Sequence, residues 1–204
     1  MHARPSEQSG RPVNRVRRKK RRVFRYNYKI RVFDGCKSSV RKEFELCVHR
    51  TLAETRGWRR YHYRFQHCTG QCPNKRTFTI SLVPNELLAR FGQSFDGMSA
   101  ADCLHNQIFI NLDRWKNGSQ RNGSTRFELN VEEYRRYVIN HEVGHILKGC
   151  QPSDHKTDCD HSDQGKAPVM MQQTISLRGC KSNHGYPTNI DRPVQIIKSK
   201  TALK

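Results

Sequence analysis

The stretch from Asn130 to Gly149 constrains the chain more than any other. Asn130 can cap the exposed amides at the start of a helix, and Glu133 stands where the reciprocal partner of a capping box belongs. The helix then runs to about Lys148, and Gly149 supplies a left-handed stop. Within it the chain reads His141-Glu142-Val143-Gly144-His145. A spacing of four puts both imidazoles on one face, about one turn apart, so both can reach a single metal ion. The intervening carboxylate is then close enough to activate a water there. Tyr134 and Val138 lie on the same stripe, which turns this face inward toward the floor of a cleft. The plain alternative is a pair of ordinary helix histidines beside a solvated glutamate. Against it stand the capped helix, the polar segment Cys150 to Lys166 rich in Asp, His and Cys, and the apolar run that begins at Pro168.

Strands precede this helix. Phe24 to Phe33 alternates Tyr26, Tyr28, Ile30 and Val32 with basic residues, as a half-buried strand would, and Asp34-Gly35 marks a turn. From Ser38 to about Arg56 the spacing of Val40, Phe44, Cys47, Val48 and Leu52 is helical, with Gly57 just beyond. A second strand is predicted at Arg76 to Val83, a short helix at Glu86 to Phe91, and a third strand at Gln107 to Leu112. The Asn- and Gly-containing stretch from Asn117 to Ser124 reads as an exposed loop. The class is therefore α+β, with a mixed sheet and one helix carrying the site.

Two hundred and four residues suffice for one domain with a real core. The formal net charge of +20 is large for that length, and much of it falls in one run: Arg15, Arg17, Arg18, Lys19, Lys20, Arg21, Arg22 and Arg25. Like charges repel and few apolar groups are present to bury, so residues 1–23 are expected to form a disordered basic tail. Residues 24–190 would make the domain and 191–204 a C-terminal tail. The tail could be solvated without a role, address the nucleus, or bind nucleic acid or another polyanion. Arg50, Arg56, Arg59, Arg60 and Arg64 continue the basic character into the domain, which suits an acidic partner or substrate. No apolar stretch is long enough for a membrane span or a signal peptide, so a soluble monomer is expected. Eight cysteines permit complete pairing in an oxidising compartment, or reduced thiols in cytoplasm or nucleus. Cys68 and Cys72, with His67 and Cys103, could also hold a second metal, although a disulfide or free thiols suit them better.

Tyr137 to His145 followed by Pro168-Val169-Met170-Met171-Gln172-Gln173-Thr174 resembles a metzincin-like family of zinc metallopeptidases, common in actinobacteria and catalogued as a domain of unknown function. Leu52 to Trp58 and Gln107 to Trp115 agree with it in the same order, and the likeness covers residues 24–190. It implies one zinc ion per chain and hydrolysis of peptide bonds, with His141 and His145 as ligands and Glu142 as general base. In metzincins the third ligand is a His six places after the second, beyond a Gly. Here that place holds Gln151 and the Gly is Gly149, one position late. If residues are inserted, His155 takes the role, with His161 next and an Asp or Cys150 behind; His155 as a solvated loop residue is the bland reading. The resemblance also implies Met170 in a tight turn beneath the histidines, rather than as a mere core residue, and a disulfide between Cys159 and Cys180. It further suggests an extended peptide or protein substrate on an edge strand, here Gln107 to Leu112. Two rivals remain at this stage: an idle site closed by its displaced third ligand, and a zinc-stabilised protein whose basic tail binds nucleic acid or another polyanion.

Overall fold

A computed structural model of the chain describes residues 22–73, 76–89, 97–118 and 129–193. The expected basic tail, except Arg22 and Val23, lies outside them. So do the end of the helix expected at 86–91, most of the loop expected at 117–124, and the C-terminal tail beyond 193.

Five strands form one sheet: β1 (Phe24–Val32), β2 (Tyr63–His67), β3 (Thr77–Val83), β4 (Ala100–Asp102) and β5 (Gln107–Asn111). Their order is β2-β1-β3-β5-β4, with β4 antiparallel to β5 and the other pairs parallel, so the sheet is mixed and the fold α+β. Among the described residues four α-helices accompany it: α1 (Ser38–Ala53), α2 (Asn85–Leu88), α3 (Leu112–Asn117) and α4 (Val131–Lys148). Alternation in β1 turns Tyr28 and Val32 into the core, where they meet Ile80 and Leu82 of β3 and Ile108 and Ile110 of β5. Phe44, Val48 and Leu52 from α1 and Ile139 and Val143 from α4 close the same core. A smaller cluster, Val83, Phe109 and Leu88, sits where α2 covers the far face of β3 and β5.

Some element ends, and the place of one strand in the sheet, differ from expectation. The third strand stops at Asn111, because the Asn111 side-chain oxygen accepts the amides of Asp113 and Arg114 at 2.9 and 3.0 Å and so starts α3 at Leu112. That strand is also no edge: β5 pairs with β3 on one side and β4 on the other, and the outermost strands are β2 and β4. Helix α1 ends at Ala53, three residues short of the expected Arg56. By contrast α4 has the bounds its caps dictate, with both arms of the Asn130–Glu133 capping box formed and Gly149 at φ 79°.

Beyond α4 the chain to Pro193 carries only 3-10 turns and isolated bridges. It is held by side chains instead. Asp191, fully buried at the expected start of the C-terminal tail, accepts the amides of Val169 and Met170 at 2.8 and 3.0 Å. A disulfide joins Cys159 to Cys180. Among the described residues no helix is long and apolar enough to cross a membrane.

Candidate metal centre

Helix α4 presents His141 and His145 on the face its spacing requires, with Glu142, Tyr134, Tyr137 and Val138 buried beside them. Gly149 and Cys150 both take positive φ, and the turn Pro152–Asp154 then carries the chain back across the end of the helix. That reversal delivers His155. Ligand nitrogens of His141, His145 and His155 all lie within 4.8 Å of one another, so the three form a group positioned to hold a metal ion. Of the choices open in the sequence for a third residue, His155 is the one the chain brings to the group. His161, the competing choice, starts an exposed 3-10 turn outside the group.

Two of the rings have a partner behind them. His141 Nδ1 lies 2.7 Å from the Val169 carbonyl oxygen, which can only accept, so Nδ1 carries the proton and Nε2 keeps its lone pair for the cleft. His145 Nδ1 faces the buried carboxylate of Asp154 at 3.6 Å, and Asp154 in turn accepts the Gln151 amide at 2.8 Å. Burial, with the neighbouring imidazoles, holds His141 down to about 3 and His145 to about 4; burial lowers His155 as well. All three rings are therefore neutral near pH 7, the state in which imidazole binds a metal. Glu142 is pushed up to about 8 by burial. Three neutral nitrogen donors facing one cleft, with a carboxylate beside them, fit a metal ion that takes imidazole ligands.

Beneath the helix Met170 is fully buried and packs against Gly144. A Cβ at Gly144 would lie 2.3 Å from Met170 Sδ and 2.8 Å from Trp58 Cζ2, so only glycine lets the helix approach this floor. Tyr137 fastens the two parts: its hydroxyl donates to the Met171 carbonyl at 2.9 Å and accepts the Gln173 amide at 3.0 Å.

A cleft of about 360 Å³ runs along α4 from the histidines to Tyr134, with Ala100 and Ala101 of β4 on one side and Gln172 and Thr174 on the other. The remaining cysteines settle two alternatives. Cys150 is joined to Cys103 and so offers no thiolate, and Cys68 is joined to Cys72, which removes the second metal site considered for it with His67 and Cys103. Cys36 and Cys47 are free thiols. Sequence reading missed Asp154, Tyr137 as a fastening point, and β4. Asp154 had a signal, since Gln151 and Asp154 stand at capping-box spacing, but a three-residue strand reading Ala-Ala-Asp has none.

A family model described as "Protein of unknown function (DUF3152)" matches residues 6–194. No curated protein matches the chain.

Proposed function

We propose that this chain, which belongs to the DUF3152 family of proteins of unknown function, is a zinc-dependent metallopeptidase of the metzincin type. The observation that carries this reading is the convergence of His141, His145 and His155 at one end of an open cleft, with the carboxyl of Glu142 buried beside them. Met170 below the helix supports the same reading, as does β4, an outermost strand of the sheet that lines the cleft.

Zinc, when bound by the three imidazoles, would lower the pKa of a water and polarise a carbonyl. Glu142 accepts the proton of the attacking water on its carboxylate and passes it to the leaving nitrogen. The Val169 carbonyl fixes the His141 ring, and the Asp154 carboxylate beside His145 favours a proton on its Nδ1, so both can turn Nε2 to the metal. Along the cleft, the free edge of β4 can pair with an extended substrate by backbone hydrogen bonds, which selects for chain conformation more than for side chains.

Metal content and cleavage of casein or a peptide library, compared for the wild type, Glu142→Ala and His155→Ala, test the reading. One zinc per chain is expected in the wild type. Glu142→Ala should keep the metal and lose activity by about 10²- to 10⁴-fold, whereas His155→Ala should lose metal. Zinc without any cleavage would favour the idle closed site, and a protein that takes up no zinc would sink both readings.

A further inference from the structure

The far end of the cleft carries a charge that the hydrolytic reading does not use. Arg114, in the first turn of α3, is half-buried and lines the cleft with Tyr134, Met98 and Ser99. Tyr134 is buried, and the positive charge of Arg114 lies close enough to act on its hydroxyl. Among the described residues no carboxylate forms an ion pair with Arg114, although Arg135 nearby is paired with Glu43 at 2.6 Å. A half-buried guanidinium that no carboxylate among the described residues neutralises is costly to keep, and it offers a planar fork that matches a carboxylate in two hydrogen bonds.

Position adds to chemistry. Tyr134 precedes His141 by two helical turns on the same face, a rise of about 10 Å. A residue adjacent to the bond held at the histidines could span that distance with an acidic side chain. So could the last residue of a chain ending about two positions further on, with its terminal carboxylate.

We infer that Arg114, with the Tyr134 hydroxyl beside it, anchors a substrate carboxylate, so that the substrates are peptides bearing an acidic group within about two residues of the cleaved bond. The inference rests on the peptidase reading and names its substrate class. The shared chemistry is a carboxylate; its source is either a Glu or Asp side chain or a free C-terminus. The basic character of the molecule works in the same direction, drawing acidic peptides toward the cleft.

The test uses the full chain loaded with zinc and fluorescein-labelled peptides that differ only in Glu against Gln at each position around the cleaved bond. A parallel set ends in a free or an amidated C-terminus. Cleavage by wild type, Arg114→Met and Arg114→Glu is read as kcat/KM ratios, and binding of the same peptides to Glu142→Gln protein, with and without Arg114→Met, is read by fluorescence anisotropy. Thermal midpoints and zinc content confirm that each variant is folded. Wild type should favour the acidic member of one set by at least about ten-fold; Arg114→Met should bring that ratio near one, and Arg114→Glu should turn it toward the uncharged member. Whichever set shows the preference identifies the carboxylate's source. Cleavage without such a preference, or a preference that survives Arg114→Met, overturns the inference and leaves the peptidase reading intact. If no peptide is cleaved, the peptidase reading fails by itself. The anisotropy then decides: an Arg114-dependent preference for the acidic peptide keeps the carboxylate site, and equal binding removes it.

Discussion

Glu142 shows at the scale of one residue how a site is held against the interest of the fold. Burial pushes its carboxyl up to about 8, against 4.5 as the ordinary value. The folded metal-free chain therefore holds that proton to higher pH than the unfolded chain does. The corresponding stability is fully present below about pH 4.5 and is lost as pH rises through 8. Glu142→Gln removes the titration while keeping the shape. In metal-free protein the variant and the wild type should have similar thermal midpoints at pH 5, and the variant should be more stable at pH 8.5 by a few kcal/mol. His141 and His145 have the opposite sign, since their depressed values make stability fall as pH drops from 6.5 toward 4, but they are common to both proteins and cancel in the difference. A midpoint difference independent of pH would show that Glu142 is not held in this way. Gly144 gives a second case. Gly144→Ala should cost about 1–3 kcal/mol through contact with Met170 and Trp58, and the cost should shrink when Met170 is also shortened, as a double-mutant cycle in urea would measure. The residues on α4 were legible because their chemistry repeats with the helix period. His155 was legible only as one choice among several, since a loop has no period and its path was set by a reversal at Gly149 and Cys150.

At the scale of elements the helices with caps and apolar stripes could be read, and the strands only in part. Strand β3, rich in Thr, Phe and Ile, announces itself, whereas β2, Tyr-Arg-Phe-Gln-His, becomes a strand through its register with β1, where Tyr63 stacks on Phe24 with ring centroids 5.3 Å apart. Strand β4 is three residues long and is fixed by tertiary contact rather than propensity. One such contact is the Cys103–Cys150 disulfide, which joins the turn after β4 to the first residues after α4 across 47 positions of sequence. In the chain-entropy picture a loop of that size contributes about 4 kcal/mol. The double variant Cys103→Ser, Cys150→Ser should therefore melt well below the wild type. On the peptidase reading it should also raise KM more than it lowers kcat, because the strand edge that receives substrate loosens while Glu142 keeps its place on α4. Equal losses in the two constants would mean that the disulfide holds the histidines and not the edge.

For the whole molecule a tension lies between a folded domain that explains the cleft and a basic N-terminal segment that the cleft does not need. Sequence reading set residues 1–23 apart because their charges repel and nothing in them can be buried. The family match, however, begins at residue 6, well inside that segment, so family membership does not mark it off from the domain. The two views predict different behaviour for a chain lacking residues 1–21. If the segment is an appended electrostatic arm, the shortened chain keeps its thermal midpoint, its zinc and its cleavage, and its affinity for duplex DNA falls. The dependence of that affinity on salt should flatten as well, because every phosphate that the arm no longer neutralises takes about 0.9 from the slope of log affinity against log salt. If the segment instead belongs to the domain, the midpoint drops and cleavage falls with it. Thermal melts beside salt-dependent DNA binding separate the cases, since repulsion among arginines predicts that the truncated chain is at least as stable as the full one. The arm is the expected outcome, because a run of like charges with few apolar groups gains little by folding.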